Sequence, residues 1–271
     1  MVPGSIEGRW LGSRVGVPGV STTTIVLNAR RIVNQDKFVS SSKRSLPTLL
    51  VEDSLWEEGK ECVGGLDEVG RGAWAGPVSV GITVVHRGST IETLPAWLRD
   101  SKLLSEKRRE LIFDDVARWC KDWAVGHAQA DECDELGMSM ALSVAARRAL
   151  VALKVRPDAL IVDGPYNLLH PPRMTTDQEE IVAKLAPAVI PATVHPIRGA
   201  DAQCASVAAA SVLAKVVRDR LMRVENVSFP QYGFDQNKGY PSPSHKIALR
   251  GYGLSGIHRR SWSFVNDLVW K

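Results

Sequence analysis

The chain has 271 residues, enough for a sizeable core, and 34 basic against 30 acidic residues leave a net charge of +4. That mild excess permits a polyanionic partner without demanding one. No apolar stretch is long enough to cross a bilayer and the N-terminus lacks the apolar core of a secretory signal, so a cytoplasmic protein without membrane contact is expected.

Residues 1–46 are rich in Gly, Ser, Thr, Val and Arg, with a polar, basic run at Ser40–Arg44, and read as a weakly structured extension. Within it only Thr24–Leu27 has the composition of a short strand. From Pro47 onward the pattern becomes regular. Cys62–Leu66 predicts a buried strand running into Asp67, and Val78–Val85 a second one rich in Val, Ile and Thr. Ser105 is placed to cap a helix with Leu111, Ile112, Val116 and Trp119 on one face. Trp123–Gln129 predicts a third strand. Met138–Leu153 predicts a helix with apolar positions 138, 142, 145, 149 and 153. Ala159–Val162 is an apolar strand ending at Asp163, and Ala188–Val194 a further strand broken by Pro191. Ala205–Val224 is a strong helix, and Ser244 and Ser261 can each cap a short C-terminal helix. The order argues for an α/β fold with a mixed sheet, an antiparallel meander first and parallel additions after it.

The four cysteines (Cys62, Cys120, Cys133, Cys204) show no C-x-x-C spacing and the six histidines no H-E-x-x-H pattern, so buried thiols are expected and a zinc enzyme is disfavoured. Carboxylates carry the stronger signal. Asp67 and Glu68 follow an apolar strand and precede the turn Gly70-Arg71-Gly72. Neighbours on a regular strand point to opposite faces, so the two converge only where the strand ends or twists, which the glycines allow. The Gly70-x-Gly72-x-x-x-Gly76 spacing fits neither a dinucleotide fingerprint nor a P-loop. Asp163 leaves the end of the strand Leu160-Ile161-Val162, and Asp201 stands just ahead of the small-residue helix at Ser206–Ser211. Each alone is most simply a turn or helix-entry aspartate. Taken together, four clustered carboxylates would repel, and a divalent cation such as Mg²⁺ or Mn²⁺ removes that cost. Spacing alone does not bring the four together.

The motifs Leu66-Asp67-Glu68-Val69-Gly70-Arg71-Gly72, Ala75-Gly76-Pro77, Asp100-Ser101-Lys102, Val162-Asp163-Gly164, Asp201, Ser206–Asp219, Tyr232-Gly233-Phe234 and Asn237-Lys238-Gly239-Tyr240-Pro241 with His245 follow in this order. In that order they resemble the ribonuclease HII family over roughly residues 48–265. The resemblance implies a ribonuclease H-like fold, a central mixed sheet flanked by helices. It implies a catalytic domain over 47–271, with a small helical part from about 225. It further implies that Asp67, Glu68, Asp163 and Asp201 form the catalytic and metal-binding set of a two-metal-ion hydrolysis, with Asp67 and Asp163 central and Mn²⁺ or Mg²⁺ as the metal. Gly70, Arg71 and Gly72 would meet the 2′-OH of a ribonucleotide and nearby phosphates, Tyr240 would stack on the following sugar, and Lys102 would touch phosphate. The implied substrates are RNA–DNA hybrids and duplex DNA containing ribonucleotides, cut 5′ to the ribonucleotide by a monomer. Lys215, Arg218, Lys238, Lys246, Arg259 and Arg260 are further candidates for tracking a phosphate backbone.

Some positions depart from the family pattern: Trp74 stands where a smaller residue is usual, Leu103 replaces a frequent second lysine, and Gly199 stands two before Asp201, where lysine is common. The related ribonuclease HIII group carries a larger N-terminal substrate-binding domain than residues 1–46 could form. A catalytically silent nucleic-acid binder on the same fold is the reading from another class, and the complete carboxylate set argues against it.

Overall fold

The computed structural model describes residues 46–191 and 193–268. The expectations for residues 1–45, including the strand at Thr24–Leu27 and the basic run at Ser40–Arg44, lie outside the described residues.

Five strands make one sheet in the order β3-β2-β1-β4-β5. β1 (Cys62–Val69), β2 (Val78–His86) and β3 (Asp122–Ala128) form the expected antiparallel meander. β4 (Ala159–Asp163) and β5 (Thr193–Ile197) add parallel to β1. The strand expected at Ala188–Val194 is therefore displaced towards the C-terminus. As an edge strand it is only half-buried, so no clean apolar alternation marks it.

Helices cover both faces, which is why the central strands are apolar on both sides. α3 (Ala130–Ala152) and α4 (Thr176–Leu185) pack with Leu66, Val80, Ile82, Leu160 and Val162 on one face. α3 begins a full two turns before the expected Met138, and its axis breaks at Gly137. α1 (Leu50–Glu57), α2 (Glu106–Trp119) and α5 (Ala205–Ser228) pack with Val63, Val85 and Ile161 on the other. α5 sits unusually close to the sheet: a Cβ at Gly65 would lie 2.4 Å from the backbone of Ser206. The alanine- and serine-rich first turns of α5 and the glycine on β1 are two halves of one contact.

α1 and α4 lie outside the expected elements. α1 brings Glu52 into the core, where one carboxylate oxygen accepts from the backbone N–H and the hydroxyl of Ser206 at 2.9 and 2.6 Å. That carboxylate satisfies a free N–H in the first turn of α5. Ser105 caps α2 as expected, accepting from the Arg108 N–H. The buried face of α2, however, is Arg109, Ile112, Phe113 and Val116, and Leu111 is exposed.

After α5 the chain forms the short helix α6 (Phe234–Asn237), then α7 (Pro243–Tyr252) and a final 3₁₀ turn at Ser263–Asp267. The cap of α7 is Ser242, not Ser244, because the proline at the first helical position fixes the start one residue after Ser242. Ser261 caps nothing; its N–H and hydroxyl both donate to Asp134 of α3. A third cluster, Ala75, Met222, Tyr232, Phe234, Leu249 and Phe264, joins these elements to the β1–β2 turn. Trp74 belongs to this packing, stacked on Phe264 at 4.1 Å.

Candidate active site

The parallel pairing of β1 with β4 ends at Leu66↔Val162. The next residues on each strand are Asp67 and Asp163, side by side at the carboxyl end of the sheet where the ladder stops. β1 continues through Glu68 paired only to β2. The strand neither ends nor bulges at Asp67, yet one carboxylate oxygen each from Asp67, Glu68 and Asp163 lie within 4.8 Å of one another. Asp201 arrives from a 3₁₀ turn whose cap, Gly199, is left-handed at φ 67°. The N–H of Ala200, next to Asp201, donates to Asp163 at 2.8 Å and ties this turn to the sheet end. Asp201 is outside the trio; its carboxylate accepts from the Lys102 ammonium at 2.8 Å.

Burial sets the electrostatics. Asp67 is 3% exposed, and burial pushes its carboxyl up to about 8. A hydrogen bond from Ser211 and the charge of Lys102 oppose that rise, while Glu68 and Asp163 add to it. Burial likewise raises Glu68, helped by Asp163, and raises Asp163, helped by Asp201. Burial works against the Lys102 ammonium, but its bond to Asp201 and the nearby carboxylates outweigh this and hold it above its ordinary range. Protein charges alone therefore leave the trio under-compensated. Hard oxygen donors grouped in this way, one of them buried and resisting ionisation, fit a small divalent cation.

The turn beside the carboxylates is built from inside. Gly70 has φ 86°, and a Cβ there would lie 2.2 Å from Nε of Arg218. Arg218, fully buried, donates to the carbonyls of Pro77, Lys238 and Ala75. Arg259, also fully buried, donates to the carbonyls of Gly70, Arg71 and Gly76. Arg71 and Gly72 are left exposed, with the Arg71 guanidinium 3.7 Å from Glu68 and 3.5 Å from the Tyr166 hydroxyl. The Gly70 N–H donates to the hydroxyl of Tyr240 at 3.1 Å, and cations of Lys215 and Arg218 each lie 5.4 Å from the centre of that ring.

This corrects the expected set of backbone-tracking cations. Arg218 and Arg259 hold carbonyls in the interior. Lys238 is 4% exposed and bonds Glu106 and the Asp235 carbonyl. Lys215 pairs with the buried Asp219 at 2.6 Å. Of the six, Lys246 and Arg260 are exposed. The places of Tyr166 and Ser211 beside the site, and the scaffold role of the two arginines, have no motif that marks them in the sequence. Arg218 at four-residue spacing from Ala214 and Met222, both buried, carried a signal for an inward-facing guanidinium.

The family description "Ribonuclease HII" matches residues 64–265. A ribonuclease HII of Streptomyces avermitilis is 43% identical over 225 residues, 82% of this chain and 86% of that protein. The solved ribonuclease H2 of Pyrococcus horikoshii is similar with a TM-score of 0.60 at 29% identity, over 76% of this chain and 96% of that one. A ribonuclease HIII solved in complex with Mn²⁺ shares the fold with a TM-score of 0.57 at 19% identity, over 76% of this chain and 68% of that one.

Proposed function

Since the chain belongs to the ribonuclease HII family, we propose that Asp67, Glu68, Asp163 and Asp201 carry its hydrolysis of RNA joined to DNA. The chain is a ribonuclease H, an endonuclease acting on RNA–DNA hybrids with a divalent cation. Asp67, Glu68 and Asp163, with Asp201 closing the set, would hold the divalent cations, Mg²⁺ or Mn²⁺, of a two-metal-ion hydrolysis. Cations there would supply charge for the phosphate oxygens and would lower the proton affinity of the attacking water. The observation that carries this is the trio of carboxylates within 4.8 Å at the open end of the β1–β4 ladder.

The remaining groups bind and orient. The exposed residues Arg71 and Gly72, in a turn fixed from behind, let a nucleic-acid strand approach closely enough for its 2′-OH to be met. The Arg71 guanidinium reaches from this turn to within 3.7 Å of Glu68, where a phosphate could exchange for the carboxylate. Tyr240 packs against the sugar that follows the ribonucleotide. Lys102 bridges Asp201 and the substrate phosphate. The bond cut is the phosphodiester 5′ to the ribonucleotide, leaving 3′-OH and 5′-phosphate ends. We take residues 47–271 as the catalytic unit, acting as a monomer in the cytoplasm. No helix among the described residues is long and apolar enough to cross a membrane.

The test is cleavage of an end-labelled DNA duplex carrying one ribonucleotide, with Mg²⁺, Mn²⁺ or chelator. A single metal-dependent cut 5′ to the ribonucleotide is expected, and Asp163→Asn should lower kcat by about 10²–10³-fold. Duplex binding without cleavage by the folded wild-type protein, with either metal, would leave a silent binder as the better account.

A further inference from the structure

Behind Tyr240 lies a buried pair of histidines that the hydrolysis itself does not use. His245 of α7 and His258 are 0% and 1% exposed, and their Nε2 atoms are 2.9 Å apart. The hydrogen-bond partners at the other ring nitrogens fix every proton. His258 Nδ1 accepts from the backbone N–H of Ser255 at 2.9 Å, which leaves this nitrogen no proton; the Ser255 hydroxyl at 2.7 Å then donates to it as well, and the ring proton is on Nε2. His245 Nδ1 lies 2.9 Å from the carbonyl of Tyr240, which can only accept, so His245 carries its proton on Nδ1. The contact between the rings is then His258 Nε2–H donating to His245 Nε2. One proton per ring satisfies the whole chain, and a second on either ring would break a bond. Both rings are held neutral: burial, His245 and Arg260 push His258 down to about 3, and burial lowers His245 despite the Tyr240 carbonyl.

The chain of bonds ends at the substrate side. It runs from Ser255 through both imidazoles to the Tyr240 backbone, and the Tyr240 hydroxyl accepts from the Gly70 N–H at the start of the exposed turn. His258 is also attached to the turn by a second route, bridging to Ala75 as an isolated antiparallel pair.

We propose that His245 and His258 are positioning residues, a neutral imidazole pair with fixed tautomers that aims Tyr240 and, through its hydroxyl, sets the Gly70-Arg71-Gly72 turn. The proposal rests on the reading of Tyr240 and that turn as substrate contacts. Two measurements test it. In the wild-type protein near pH 7, long-range ¹H–¹⁵N spectra should show His245 as the Nδ1–H tautomer and His258 as the Nε2–H tautomer. The reverse assignment, or an imidazolium, overturns the proposal without any variant having to fold. The second is a cycle of kcat/KM on the single-ribonucleotide duplex, with melting curves confirming the fold. His258→Phe, which loses the donor, should lower kcat/KM about tenfold, and His258→Gln, which can still donate, should recover most of it. With Tyr240→Ala already present, His258→Phe should cost less than about twofold, because the two act as one unit. Equal losses in both backgrounds would mean general packing and would overturn it. If Tyr240→Ala alone leaves kcat/KM unchanged, the substrate role of Tyr240 fails, and the proposal with it.

Discussion

Two charged regions lie side by side at one end of the sheet and are built on opposite principles. The carboxylate cluster collects like charges and buries one of them with too little compensation. The Gly70-Arg71-Gly72 turn is held by Arg218 and Arg259, buried cations whose donors meet backbone carbonyls. The first region is incomplete without something from solution, and the second is complete in itself. The proposed function uses both: a site open to a cation and a phosphate, beside a frame rigid enough to measure what enters it.

Substitutions should separate the two most sharply when activity and stability are read together. Asp163→Asn should nearly abolish cleavage, yet leave the metal-free protein as stable or more stable, because it relieves repulsion. A melting curve lowered in step with activity would erase the distinction. Arg218→Ala should do the reverse to the fold. It strands three buried carbonyls and opens a cavity, costing roughly 3 kcal/mol or more, to be read from denaturant unfolding.

Protons should sharpen the contrast next. The Asp67 carboxyl is raised to about 8 in the folded chain, so the folded state holds a proton there that the unfolded state releases above its ordinary value of 3.8. Its contribution is therefore present at low pH and is lost as pH rises towards about 8. Without divalent cation the melting temperature should fall across that window. With Mg²⁺ the fall should shrink, since the cation competes with the proton and favours the ionised form. The smallest effect concerns the exposed cations. Lys246→Ala should reduce the salt dependence of duplex binding by about one phosphate contact, whereas Lys238→Met should leave that slope unchanged.

Much of this arrangement was legible in the sequence where an apolar strand is cut off by a carboxylate. Leu66-Asp67 and Val162-Asp163 announce both the strand and its functional end, and the meander followed by parallel additions comes from the order of patterns. Where a side chain faces is harder to read. Arg218, Lys238 and Arg259 look like surface charges because a charged residue in a sequence does not reveal whether distant carbonyls await it. β5 escaped its true register because a half-buried edge strand containing His195 and Pro196 has no alternation to follow. α1 is short, and its Glu52 faces inward only because α5 presents Ser206 to it. The Asp67–Glu68 convergence was expected to need a strand end or a twist. It occurs in a strand that continues to Val69, beyond the last pairing with β4.

The anchoring of Gly70 by Arg259 spans 189 positions of the chain. Synthesis runs from the N-terminus, so Asp67, Glu68, Asp163 and Asp201 have all left the ribosome before Arg259 is made. A nascent chain can thus possess all four carboxylates of the proposed site while the Gly70-Arg71-Gly72 turn still lacks its clamp. A chain stopped short of Arg259 would carry the acidic cluster without the anchor of the turn proposed to meet the ribonucleotide.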